Sequence, residues 1–151
     1  MKASCTVAVH APPSRLLAVI LDFPAYPVFL PEIQRAVVVQ HTAGATEWTV
    51  SFHAEVVRAM SYTLQLWRAP DLPDGGIVVR WSLAEGALFK ANEGSWTLRP
   101  LDGPTPRTLA TYEIRVELGV FVPTSLVATL TGTSLPGTLA AFKARAEGLP
   151  G

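Results

Sequence analysis

The sequence is poor in charge and almost without cysteine. Charged residues fill 16% of its 151 positions, against about 25% in an ordinary domain. Twelve basic residues balance twelve acidic ones, and the basic ones are scattered from Lys2 to Arg145 with no run. That pattern lacks the electrostatic footprint of nucleic-acid binding and of a polybasic membrane patch. Cys5 is the single cysteine, so no intrachain disulfide can form and a reducing, cytoplasmic setting is expected. No apolar run reaches the roughly 18 residues of a spanning helix, so integral membrane association is not expected. Pro12, Pro13 and Arg15 interrupt any apolar leader, and no signal peptide is read. His10, His41 and His53 show neither HxH nor HExxH spacing. No metal site is expected, and no cofactor.

What is abundant is apolar side chain. Apolar residues make up 49% of the chain. At this length about 68–70% of the unfolded surface can be buried, enough for a sizeable core. The sequence shows no internal repeat and no low-complexity break, and 1–151 reads as a single domain.

The first segment, SCTVAVH (4–10), is short and β-branched, a strand. Pro12 and Pro13 suit a helix start, where a missing N–H costs nothing, and SRLLAVILD follows as an apolar helix. DFPAYPVFLPE (22–32) spaces three prolines among Phe23, Tyr26 and Phe29. Pro24 and Pro27 both fit a first turn, and Pro31 stops it, so 24–30 predicts one brief helical turn. IQRAVVVQH (33–41) reads as a strand. From Thr46 to Leu118 the period is two, over five strands. Trp48, Val50, Phe52, Ala54 and Val56 share one face. So do Tyr62, Leu64 and Leu66; Ile77, Val79, Trp81 and Leu83; Gly94, Trp96 and Leu98; and Ala110, Tyr112, Ile114 and Val116. Such alternation predicts an antiparallel meander with one wet and one apolar face. AEGALFKANEG (84–94) reads as a loop. From Pro123 to Gly148, Leu126, Leu130, Leu135, Leu139, Phe142 and Ala146 recur at helical spacing, with Gly132, Pro136 and Gly137 predicting a kink. The order is β-α-α-β-β-β-β-β-β-α: an α+β chain in which a long C-terminal helix covers a sheet of about seven strands.

Three stretches carry a family resemblance. APPSRLLAVILDFPAYPVFLPEI, with its Asp, Tyr-Pro and later Pro, resembles the opening of the START-like (SRPBCC) superfamily. EGSWTLRPLDGPTPRTLATYEI resembles that superfamily's G-x-W-x-L-x-P … T-x-x-x-Y hairpin, and VPTSLVATLTGTSLPGTLAAFKARAE its closing helix. The similarity spans nearly the whole chain and points to the polyketide cyclase/dehydrase and coenzyme-Q-binding branch. It implies a helix-grip fold, with a curved antiparallel sheet wrapped on a kinked C-terminal helix and a hydrophobic cavity between them. Members of the superfamily bind lipids, quinones, polyketides or hormones, and some catalyse cyclisation. Fold alone does not choose among these.

By parity, the candidate cavity lining is Trp48, Phe52, Tyr62, Leu64, Trp81, Leu83, Phe89, Trp96 and Tyr112, joined by Leu130 and Phe142 of the closing helix. Tyr26 and Phe29 are candidates for the mouth. Each ring is equally readable as ordinary core packing. A void of ~300 Å³ left empty would cost on the order of 7 kcal/mol, so a large cavity should hold side chains, water or ligand. Arg68, Asn92 and the tyrosine hydroxyls are the polar groups of inward parity. Glu55, Arg80, Glu93, Arg99, Glu113, Arg115 and Glu117 carry the outward parity, consistent with a solvated face of cross-strand ion pairs. Glu85 and Lys90 are solvated loop residues or mouth groups. No residue is singled out as catalytic. The sequence favours a non-catalytic binder or carrier of a hydrophobic small molecule such as a lipid, quinone or polyketide. A polyketide cyclase/aromatase-type enzyme is the alternative, and a protein-interaction module a weaker one.

Overall fold

The computed structural model describes residues 2–44, 46–55, 59–119 and 134–148. Strand β1 (Lys2–Val9) is followed by helix α1 (Pro13–Leu21), a single 3-10 turn (Phe23–Ala25) and the one-turn helix α2 (Tyr26–Phe29). Six strands come next: β2 (Ile33–His41), β3 (Glu47–Glu55), β4 (Ala59–Arg68), β5 (Ile77–Gly86), β6 (Phe89–Leu101) and β7 (Arg107–Leu118). Helix α3 (Ser134–Gly148) closes the described chain. The seven strands form one sheet in the order β1-β7-β6-β5-β4-β3-β2, and every ladder is antiparallel. The helices lie on one face of it, the helix-grip arrangement expected from the sequence.

The prolines act as their backbone chemistry dictates. Pro12 caps α1 and Pro13 is its first residue, where no N–H is missed. Pro24 and Pro27 each fall in the opening turn of a short helix, and α2 stops at Leu30, whose backbone is extended, just before Pro31. The predicted brief turn is therefore a 3-10 turn running into an α turn. Pro136 stands in the first turn of α3, where a proline is tolerated. The predicted helix start at Pro123, and Gly132 of the three residues predicted to kink the helix, lie outside the described residues.

Parity sorts the sheet's two faces as the period-two pattern requires. Trp48, Val50, Phe52 and Ala54 are buried on β3, and Met60, Leu64 and Leu66 on β4. Leu139, Phe142 and Ala146, at helical spacing on α3, are buried as well. The opposite face carries the cross-strand ion pair Arg115–Glu93 at 2.8 Å, and Arg115 also reaches Glu117. Two outward residues depart from the pattern. Val78 and Ser95 are buried although they face away from the helices. Val78 has Trp67 and Arg80 as neighbours on that face, by register, and such long side chains reach a diagonal partner.

AEGALFKANEG is a hairpin rather than a loop. β5 ends at Gly86 and β6 begins at Phe89, so only Ala87 and Leu88 connect them. The two arms nevertheless part. Their ladder runs from Ile77–Leu98 to Trp81–Gly94 and stops there. Beyond it, β5 carries one extra residue, Ala84, against β4, and β6 one extra residue, Lys90, against β7. Bulges of this kind bend a strand and strengthen its twist. Here one sits on each side of the seam.

Candidate functional site: a cavity at the open end of the sheet

The apolar face is filled at one end and hollow at the other. At the filled end α1 presses Leu16, Ile20 and the following Phe23 onto the sheet, and all three are fully buried. Val50, Val79, Leu98 and Ala110 lie beneath with no exposed surface. At the other end gather the start of β2, the end of β3, the start of β4, the parted tips of β5 and β6, and the end of β7. These elements surround a cavity of about 200 Å³.

Most of the sequence-predicted lining borders this cavity. Phe52, Tyr62, Leu64, Trp81, Phe89, Trp96, Tyr112 and Phe142 do, and so does Tyr26. Their rings form a continuous wall. Phe52 and Tyr62, paired across β3 and β4, stack with centroids 5.3 Å apart. Phe89 meets Tyr62 edge-on at 5.2 Å. Tyr112 lies 4.8 Å from Trp96 and 5.2 Å from Trp81, and Phe142 of α3 closes on Trp96 at 5.1 Å. Edge-to-face and offset contacts of this kind suit the ring quadrupoles. Gly94 makes room for the Trp81 indole: a Cβ there would lie 2.5 Å from the ring and 2.2 Å from the Glu113 carbonyl oxygen.

Four predicted residues stand elsewhere. Trp48 is at the filled end, with its ring 6.1 Å from Phe23, so the 3-10 turn after α1 covers it. Leu83 is half-buried against the core, paired with Leu64, and does not border the cavity. Phe29 packs on Tyr26 and Phe142 with the Arg145 guanidinium 5.6 Å over its ring, which makes it an outer brace. Leu130 lies outside the described residues. Glu85 and Lys90 are exposed on the hairpin.

Other lining residues were not singled out by the sequence. Leu66, Ala54, Ile114 and Val116 had the right parity, and Leu135 the right helical spacing. Ile20, Leu30 and Glu32 reach the cavity because the α1–α2 segment folds back over the sheet, and Ile33 as the first residue of β2. Met60 and Thr138 complete the wall.

The polar groups of the cavity are few, and their roles can be assigned. The Tyr26 hydroxyl donates to the Ile20 carbonyl at 2.5 Å, satisfying one of the carbonyls left open at a helix C-terminus. That bond ties α2 to α1 and uses up the hydroxyl. The Trp81 indole N–H donates to Asn92 Oδ1 at 3.1 Å. An indole nitrogen can only donate, so the amide orientation follows and Nδ2 is left as a donor. The Tyr62 and Tyr112 hydroxyls make no hydrogen bond among the described residues. No fully enclosed polar side-chain atom there lacks a partner, so both hydroxyls border open cavity space. Burial raises the pKa of all three tyrosines: Tyr26 well above the ordinary phenol, Tyr62 to about 12 with a smaller push from Glu32, and Tyr112 with a smaller push from Tyr62. All three are neutral phenols at physiological pH. Glu32, half-buried at the rim, is the only carboxylate among the described lining residues, and no Lys, Arg or His is among them. No group of His, Cys, Asp and Glu among the described residues could hold a metal ion. Among them, too, no helix is long and apolar enough to cross a membrane.

Comparison with known proteins fits this geometry. The model of the family described as polyketide cyclase/dehydrase and lipid transport matches residues 9–143. The chain belongs to that family. Its fold is the START-like one. A START superfamily protein from Mycobacterium smegmatis superposes with a TM-score of 0.81 at 24% identity, covering 99% of both chains. The Zhui aromatase/cyclase from Streptomyces sp. R1128 gives 0.75 at 19% identity over 97% of this chain and 93% of its own. A STAR-related lipid transfer protein from Xanthomonas axonopodis gives 0.77 at 20% identity, covering 96% and 85% respectively. At these identities the likeness is one of fold, and a cyclase and a lipid transfer protein share it equally. No curated protein matches the sequence.

Proposed function

We propose that this polyketide cyclase/dehydrase-family chain binds a compact hydrophobic molecule in the cavity between the sheet and α3. One observation carries the reading: side chains fill one half of the apolar face, and the other half keeps a walled space of about 200 Å³. An apolar cavity of about 150 Å³ takes up benzene, and drug-sized ligands occupy roughly 300–1,000 Å³. A molecule of one or two rings fits between these limits. A two-ring ligand the size of a tryptophan side chain would bury about 250 Å². That contributes at most about 6 kcal/mol, a Kd of roughly tens of micromolar.

The cyclase/aromatase reading draws on Glu32. It is the one described lining carboxylate, and a proton acceptor is what such chemistry needs. Glu32 is half-buried, and the described lining offers no His, Lys or Arg to work with it, so binding is the better-supported function. Native mass spectrometry of gently purified protein, followed by solvent extraction, tests it. A co-purifying apolar molecule, or a thermal shift of about 5–10 °C with a quinone, polyketide or lipid at a hundredfold excess over Kd, is expected. No bound molecule and no shift with any of these classes contradict it.

A further inference from the structure

We propose that the cavity selects an uncharged ring molecule presenting an acceptor oxygen, such as a ketone, quinone or ester carbonyl, to the donors Tyr62, Tyr112 and Asn92. This rests on reading the cavity as a binding site and adds to it the chemistry of the occupant.

The Trp81 indole holds Asn92 Oδ1, so the amide faces the remaining space as a donor. Asn92 itself is 93% buried, with 7% of its surface exposed, and no hydrogen bond from its Nδ2 is made among the described residues. The Tyr62 and Tyr112 hydroxyls border the same space and lie close enough for charge on one to be felt at the other. A hydroxyl can also accept, but an amide NH₂ cannot. The arrangement is therefore complementary to an acceptor. A buried donor that finds none costs more than a formed bond returns, so an apolar occupant without oxygen leaves the site unsatisfied.

Charge sets the second half of the selection. The described lining holds no cation. A carboxylate entering this space would give up its water with no counter-charge from the described lining, a heavy penalty in an apolar surrounding. It would also approach Glu32, whose field already reaches Tyr62. Neutral carbonyl compounds are thus favoured over both their hydrocarbon and their carboxylate counterparts.

A matched trio of probes tests this by calorimetry and thermal shift: naphthalene, 2-acetylnaphthalene and 2-naphthoate. The ketone should bind most tightly, naphthalene about three- to tenfold more weakly, and the anion at least tenfold more weakly than the ketone. Tyr62→Phe and Tyr112→Phe keep the ring wall. Each should cut ketone affinity about two- to tenfold while leaving naphthalene within about twofold. Asn92→Leu should do the same, with its melting curve checking that it is folded. Equal binding of all three probes, or tight naphthoate binding, overturns the donor-cluster inference and leaves the binding site standing. Binding of none of the three to the wild-type chain overturns both.

Discussion

Trp48 and Trp81 occupy the same face of the same sheet, both buried, on strands separated only by β4. One is packed against Phe23 of the 3-10 turn, and the other borders a cavity with its N–H committed to Asn92. Parity along a strand says which face a side chain takes. It does not say what lies opposite. The difference between the two tryptophans is made by the short segment from α1 through the 3-10 turn, which covers only one half of the sheet. The parted tips of β5 and β6 widen the other half. The filled end serves stability, and the hollow end is the proposed binding space.

The largest expected contrast comes from cutting one phenylalanine at each end. Phe23→Ala should lower stability by about 3–5 kcal/mol, because a fully buried ring leaves a cavity its neighbours cannot fill. Phe89→Ala should cost about 1–2 kcal/mol, since its half-buried ring already borders open space. Urea unfolding of both variants reads the difference, and equal losses would break the comparison.

Enlarging a small residue reverses the sign. Ala110 has no exposed surface at the filled end, and Ala110→Leu should cost about 1–3 kcal/mol by overpacking. Ala54 borders the cavity. Ala54→Leu has room to enter it and should leave the melting temperature unchanged or raise it.

Some of this was legible in the sequence. The alternation of Trp48 to Ala54 and Ala110 to Val116 fixed the inward face, and the spacing Leu135, Leu139, Phe142, Ala146 fixed the inward stripe of α3. Cavity wall and core could not be separated, because Trp48, Leu83 and Phe29 share the chemistry of the true lining. Only the path of α1 and α2 over the sheet tells them apart. Ile20, Leu30 and Glu32 reach the cavity through that path, and nothing local marks them. The hairpin at Ala87–Leu88 was hidden because its turn lacks the Asn-Gly or Asp-Gly signature of tight turns. Asn92 was visible as a polar residue of inward parity, but its bond to Trp81 needed the fold.

A smaller effect comes from pH. The chain has three tyrosines, and burial raises all of them. A spectrophotometric titration should show little tyrosinate in the folded protein at pH 10, where the unfolded chain is half ionised. The unfolded state then holds fewer protons than the folded one, so stability should fall as pH rises from about 10 through the Tyr62 value of about 12. Normal titration near pH 10 in the folded state would mean that the hollow end is open to bulk water.

The smallest effect belongs to the filled end's rim. Glu147 accepts from Lys143 at 2.9 Å and from the His10 backbone N–H at 3.2 Å, and Lys143 also donates to the Ala8 carbonyl at 2.7 Å. These bonds clip α3 to the end of β1. The Lys143 ammonium, followed by the His10 N–H, holds the Glu147 carboxyl below its ordinary 4.5. Its contribution is therefore present above about pH 4.5 and is lost as pH falls through the lower folded value. Glu147→Gln should cost less than about 1 kcal/mol at pH 7 and flatten the acid limb of the stability profile.

The account stands on the hollow half being a binding site. Its most direct test is a calorimetric titration of the wild-type chain and of Ala54→Leu with 2-acetylnaphthalene at several temperatures. The wild type should bind one equivalent with a negative heat-capacity change, the mark of apolar burial. Ala54→Leu, equally or more stable, should bind at least tenfold more weakly. Undiminished binding to Ala54→Leu would place the site elsewhere, and no binding to the wild type would contradict the account.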